Sequence, residues 1–361
     1  MSKVSVIGNF CSGIDALNGQ TVKTKIVTEE LIKVFGENEV VTFNTSGGIK
    51  TLFRAPFMAW KAMRMSHNII FFPAENSLRV FIPLLLFLQL FLKQRKVHYV
   101  VIGGWLPAFL KNRPLLRYCL QHIYMIYAET HRMHNDLEKM GFCNVSYMPN
   151  CKPLKVVSED VLFYTFTEPY KLCTFSRVWS QKGIGEAAEV VKIINQRFGR
   201  IVFTLDIYGM VESGEEQWFD DLQAQFPEYI KYGGAVPFEK SVDVLKNYFA
   251  LLFPTKCPGE GIPGTIIDAY AAGIPVISSL YPNFGEIIDD GKTGLGYEFN
   301  NKEAFLAMLV DIAENPQRMI KMKKNCIEKA KMFQPNMVIN RLVENICGVK
   351  CTTPKSKENA S

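Results

Sequence analysis

Residues 250–278 read ALLFPTKCPGEGIPGTIIDAYAAGIPVIS. Ala250–Phe253 and Val276–Ser278 are short apolar runs bounded by turn residues, and Gly264–Ala272 between them has a helical spacing of apolar positions. A strand, a helix and a strand in that order imply two parallel strands joined by a crossover. The turn before the helix is rich in glycine: Gly259, Gly261 and Gly264 free the backbone around Glu260. Thr265 then opens a helix whose first amides favour an anion. Asp268, eight residues beyond Glu260, lies on the second turn, so two carboxylates bracket that anion site. Ala269, Ala271 and Ala272 keep the helix thin enough to pack closely on a sheet.

The same alternation extends outward. Upstream, Lys171–Phe175 reads as a strand, Gly185–Gln196 as a helix with Ala187, Ala188, Val191 and Ile194 on one face, and Ile201–Tyr208 and Tyr229–Tyr232 as strands around a helix near 214–225. The first strand empties into Ser176-Arg177, and Lys182-Gly183 follows five residues after the arginine. Two cations at a strand end suit a diphosphate. The first part of the chain repeats the pattern: strands at Lys3–Gly8, Glu39–Phe43, Asn68–Phe72, Val97–Ile102, Tyr124–Ala128 and Asn144–Met148, with helices at Thr21–Phe35, Leu52–Met65, 80–92 and up to Met140. Gly19 precedes the first helix, where a ligand could approach the backbone. Residues 301–347 read as helices only, broken at Pro316 and Pro335. The expected architecture is α/β: two doubly wound Rossmann-like domains, 1–160 and 161–347, facing across a cleft, with a helical C-terminus and a disordered polar tail, 348–361. Ligands bind such sheets at the carboxyl ends of the strands, so the cleft is the expected site.

Composition narrows the class. The 361 residues are 48% apolar and 21% charged, which excludes disordered and fibrous chains. Nine scattered cysteines without a CxxC pair, and no signal peptide at the start, imply reduced thiols in the cytoplasm and no structural zinc. No G-x-G-x-x-G and no GxxxxGK[ST] occurs, so neither NAD nor P-loop use is expected. Asp220-Asp221 and Asp289-Asp290 are adjacent pairs and no DxD is present, in keeping with a site that uses no metal or other cofactor. Charge is uneven: from Lys50 to Arg117 there are 11 Lys and Arg against Glu75 alone, a local +10 in a chain of net charge +6. That segment encloses Val80–Leu92, VFIPLLLFLQLFL, flanked by Arg79, Lys93, Arg95 and Lys96. Thirteen helical residues span about 20 Å, short of a hydrocarbon core of roughly 30 Å. Two readings stand: a helix buried between strands, or a basic apolar face lying on an anionic leaflet. Leu and Phe interleaved with the cations suit lipid better than nucleic acid, which is not expected as a partner.

NGQTVKT at the first turn, FSRVWSQKG at 175–183 and above all GEGIPGTIIDAYAAGIPVIS at 259–278 resemble the retaining glycosyltransferases of the GT-B fold, family 4, which build bacterial capsule, exopolysaccharide and lipid-linked glycans. The resemblance covers nearly the whole chain, and the last segment resembles that family's E-x7-E motif. It implies that Glu260 faces the donor sugar as the catalytic carboxylate and that Asp268, one methylene shorter than the usual glutamate, holds the nucleotide ribose. It also implies that Arg177, Lys182, Gly264 and Thr265 bind the donor diphosphate and that Gly19 approaches the donor phosphate. A histidine common in the family after an N-terminal strand has no counterpart, since that strand end reads Gly103-Gly104-Trp105. The implied partners are a nucleotide-sugar, a glycan or polyprenyl-diphosphate-linked acceptor and the inner leaflet of the cytoplasmic membrane. The implied location is cytoplasmic and peripheral to that leaflet. A nucleotide-sugar epimerase and a non-catalytic partner subunit are the two other uses of the same fold that stay open at this point.

Overall fold

The computed structural model describes residues 2–11, 19–47, 49–73, 75–162 and 166–348. The expected polar tail lies outside the described residues, apart from its first position, as does most of the loop that leads to Gly19.

Twelve strands form two six-stranded sheets, and every named pairing is parallel. The first sheet holds β1 (Ser2–Gly8), β2 (Val40–Asn44), β3 (Ser66–Phe71), β4 (Lys96–Val100), β5 (Met125–Ala128) and β6 (Val145–Tyr147) in the order β2-β1-β3-β4-β5-β6. Its helices are α1 (Gly19–Phe35), α2 (Ile49–Met65), α3 (Glu75–Gln89), α4 (Leu106–Leu110), α5 (Pro114–Gln121) and α6 (His131–Lys139). The second sheet holds β7 (Tyr170–Phe175), β8 (Phe203–Tyr208), β9 (Ile230–Gly234), β10 (Ala250–Phe253), β11 (Val276–Ser279) and β12 (Gly294–Tyr297) in the order β12-β11-β10-β7-β8-β9. Around it lie α7 (Ile184–Phe198), α8 (Glu216–Gln223), α9 (Ser241–Leu245), α10 (Gly264–Ala271), α11 (Phe284–Ile287), α12 (Lys302–Glu314), α13 (Gln317–Ile320), α14 (Lys323–Ala330), α15 (Pro335–Val338) and α16 (Asn340–Cys347). These are the two doubly wound parallel sheets that the alternation implied.

The strand order fixes where a ligand can enter. In the second sheet β7 pairs with β8 on one side and β10 on the other, so the order reverses between β7 and β10. Crossovers leave that point in opposite directions and open a crevice at the carboxyl ends of the two strands. Arg177 follows β7, and the glycine-rich turn with Glu260 follows β10.

The last two helices return to the first sheet. Val338, Ile339, Leu342 and Ile346 share one buried cluster with Val4, Val6, Ile26, Leu31 and Ile70. The other face of that sheet is covered by α2, α3 and α5, which pack side by side over Ile69, Phe71, Val97, Tyr99 and Ile126. Here the structure departs from the reading of Val80–Leu92 as a helix buried between strands. The helix starts at Glu75 and ends at Gln89; Leu78, Phe81, Ile82, Leu85 and Leu88 are buried. Its opposite side, with Val80 and Phe87, is exposed, as are Leu90 and Phe91 in the turn that follows. The run is therefore amphipathic by position although nearly all its residues are apolar. Among the described residues no helix is long and apolar enough to cross a membrane. The eight cysteines among the described residues are all free.

Candidate active site

The turn at Gly183 sets the geometry of the crevice. Its φ of 71° is in the left-handed region, and a Cβ there would lie 1.9 Å from the Pro254 carbonyl oxygen. Only glycine lets the loop after β7 press against the end of β10. Lys182 is thereby held over the β10 turn, and its ammonium contacts the Glu260 carboxylate directly, both side chains being about one-eighth exposed (13% and 12%). Thr255 Oγ1 donates to Glu260 Oε1 at 3.0 Å. Arg177, more exposed, pairs with Glu212 at 2.7 Å on the rim. Gly264 and Thr265 open α10, whose first turn carries no side-chain cap. A helix start of this kind leaves amide donors for an incoming anion. Thr265 Oγ1 is buried without a hydrogen-bond partner among the described residues. Glu260, Lys182, Arg177, Gly264 and Thr265 thus fall around one crevice. Gly19 is the first residue of α1, and a Cβ there would meet nothing within 4 Å.

Asp268 is the more deeply buried of the two motif carboxylates. It is 3% exposed and its carboxylate is paired with the Lys152 ammonium, on the segment joining the two halves. Burial pushes its carboxyl up and Lys152 pulls it back. On the second turn of α10 its short side chain reaches the joining segment.

The cations expected to face a membrane also divide. Arg79 and Lys93 are exposed, with Arg79 set over the Phe109 ring at 5.0 Å. Arg95 and Lys96 turn inward: Arg95 Nε donates to the Met63 carbonyl at 2.7 Å, and Lys96 Nζ donates to the Asn345 carbonyl at 3.3 Å and lies over the Tyr124 ring at 4.3 Å. Lys96 begins β4, which draws its side chain into the seam with α16.

Several groups at the crevice escaped the sequence reading. Gly104 N donates to the Gly259 carbonyl at 3.0 Å, bringing the backbone after β4 onto the Glu260 turn. The Asn283 side-chain amide donates to the Glu260 carbonyl. Glu129, directly after β5, accepts from Ile262 N at 2.9 Å and is paired with Lys23 at 2.8 Å. The position of Glu129 at a strand end was a usable signal; the partners of Asn283 and Lys23 depend on tertiary placement alone.

Comparisons with known proteins bear on the family and the fold. Residues 169–315 match the family described as Glycosyl transferases group 1. The amylovoran biosynthesis glycosyltransferase AmsK of Erwinia amylovora is 27% identical over 151 residues, 41% of this chain and 37% of that one. The putative colanic acid biosynthesis glycosyltransferase WcaL of Salmonella typhimurium is 25% identical over 149 residues, 40% of this chain and 36% of that one. The chain thus spans little more than a third of the length of these curated relatives. Among solved structures, Anabaena Alr3699/HepE in complex with UDP and glucose superposes with a TM-score of 0.72 at 13% identity, covering 97% of this chain and 100% of that one. The lipopolysaccharide outer core galactosyltransferase WaaB gives 0.68 at 14% identity, covering 96% and 99%. At such identities the structural likeness speaks for the fold.

Proposed function

We propose that this chain is a retaining, metal-independent glycosyltransferase that moves a sugar from a nucleotide-sugar to a hydroxyl of a growing, lipid-linked bacterial surface glycan. The observation that carries the reading is the meeting of Lys182, Glu260 and the uncapped start of α10 at the point where the second sheet reverses its strand order. The match of residues 169–315 to group 1 glycosyl transferases, and relatives that make exopolysaccharide, support it.

In the reaction the bond between the anomeric carbon and the diphosphate oxygen breaks, and its electron pair leaves with the diphosphate. The acceptor oxygen bonds to that carbon on the same face, and its proton passes to a leaving phosphate oxygen. Lys182, Arg177 and the amides at Gly264 and Thr265 stabilise the charge that grows on the diphosphate. Glu260 stands opposite, where positive charge grows on the sugar. The diphosphate draws Lys182 away from Glu260, which turns that carboxylate toward the sugar at the moment of binding.

The acceptor side rests on the first half. Phe53, Phe57 and Trp60 on α2, Phe87 on α3 and Leu115 on α5 are 84%, 69%, 41%, 56% and 71% exposed. Arg54, Lys61 and Arg64 on α2, Arg79 on α3, Lys93 in the turn after α3 and Lys111 in the turn before α5 are exposed as well. Aromatic residues among cations suit the interface of an anionic leaflet.

Incubating the purified chain with a panel of nucleotide-sugars tests the assignment. Slow donor hydrolysis with excess chelator present is the expected result. A new epimer, or binding of every donor without turnover, would overturn it.

A further inference from the structure

We infer that Glu129 is a positioning residue that holds the Glu260 turn in register across the cleft, an inference that rests on the role proposed for Glu260. Glu129 belongs to the first half of the chain and the turn to the second. Its side chain is 3% exposed and that of Lys23 is 1% exposed. Lys23 Nζ lies 2.8 Å from Glu129 Oε2 and donates to the Val101 carbonyl at 3.2 Å. Burying such a pair is costly unless its remaining hydrogen-bonding capacity is used. Here it is used: Glu129 Oε1 accepts from Ile262 N, two residues beyond Glu260.

The approach demands glycine at the facing position. A Cβ on Gly261 would sit 2.2 Å from Glu129 Oε1 and 2.9 Å from Gly103 Cα. Gly104 N on the Gly259 carbonyl and the Asn283 amide on the Glu260 carbonyl complete the grip, so the backbone on both sides of Glu260 is fixed. A second carboxylate crosses in the opposite sense. Glu286, of the second half, accepts from His131 N at 3.0 Å and Arg132 N at 2.8 Å at the start of α6. The cleft is therefore latched from both sides beside the same turn, and its closure and the aim of Glu260 are one event.

Hydrogen–deuterium exchange on the full chain, without added ligand, tests this. Lys23→Met with Glu129→Leu replaces the buried pair by apolar groups and removes the acceptor for Ile262 N. Exchange across 257–264 should rise about tenfold, the scale of one lost hydrogen bond to a charged group, while 125–128 keeps its protection. Lys23→Met with Glu129→Gln keeps an acceptor and should restore protection. Unchanged exchange across 257–264 in the Leu variant, or no difference between the Leu and Gln variants, would overturn the inference. Should the paired replacements not fold, Gly261→Ala, whose methyl group would displace the Glu129 carboxylate, carries the same test: exchange across 257–264 should rise, and unchanged exchange there would overturn the inference. In turnover the Leu variant should lose about tenfold in kcat with the donor KM within about twofold, since geometry and not donor binding is altered. Exchange requires no donor, so a wild-type chain inert toward every nucleotide-sugar would sink the transferase reading and leave this contact to be decided separately.

Discussion

Lys182 contacts Glu260, and the competition proposed between that carboxylate and an incoming diphosphate has measurable consequences. Glu260→Gln should lower turnover about 100-fold or more, the scale of losing a positioned charged group, with little change in Tm because the residue sits on a turn. The same variant frees Lys182, so it should bind nucleoside diphosphates more tightly than the wild type; calorimetry with UDP and GDP would show it. Lys182→Ala should weaken those diphosphates far more than the parent nucleosides. Equal losses for both would mean that Lys182 acts through folding. Gly261→Ala drives a methyl group into Glu129 and Gly103. It should cost turnover about tenfold or more, as expected when a reacting group is displaced by around an ångström. A steady-state assay giving wild-type kcat for this variant would mean the turn can shift without consequence.

Among the elements, the face built by α2, α3 and α5 carries the membrane proposal. Phe53→Ser with Phe57→Ser, and Arg79→Glu with Lys93→Glu, should each weaken flotation with anionic vesicles at low salt while leaving donor hydrolysis near normal. Folded wild-type protein that fails to float would remove the leaflet from the account. Most of the architecture was legible because eleven of the strands are apolar runs separated by turn residues or helical spacing. The strand Gly294–Tyr297 was not, since two of its four residues are glycine and lack the side chains that mark a strand. A Cβ on Gly294 would lie 2.3 Å from the Val276 carbonyl, so the feature that hid the strand is what lets it pair with β11. The helices Leu106–Leu110 and Pro114–Gln121 were hidden by prolines, each of which stands in the first turn, where it needs no amide partner. At the site, the motif residues Glu260, Lys182 and Arg177 could be read locally. The pairing of Asp268 with Lys152 could not, because the two are 116 residues apart.

For the molecule as a whole, a buried polar network joins the first sheet to the returning C-terminus. His98 Nε2 donates to Asn68 Oδ1 at 3.1 Å, its Nδ1 accepts from the Tyr127 hydroxyl at 3.0 Å, and Asn345 donates to that hydroxyl at 3.0 Å. Burial, helped by Lys96, lowers the His98 pKa to about 3. A folded pKa below the unfolded value of about 6.5 means that the unfolded chain binds the extra proton first. Stability from this group is therefore fully present above about pH 6.5 and is lost as pH falls toward 3, by roughly 3–5 kcal/mol over that window. His98→Gln should be less stable at neutral pH but flatter in acid. Parallel urea titrations of both chains between pH 7 and pH 4 would check this, and identical slopes would remove His98 as the source.

The return of α15 and α16 to the first sheet also sets a timetable for synthesis. The cluster holding Val4, Val6 and Ile26 lacks Leu342 and Ile346 until α16 has left the ribosome. At 5–20 residues per second, some 200 residues separate the end of the first sheet from those side chains, a wait of roughly 10–40 s. During that interval the nascent first half presents an unfilled apolar groove to solvent. It is a natural client for a chaperone that binds hydrophobic chain, and translation stalled past the second sheet would release a sticky product.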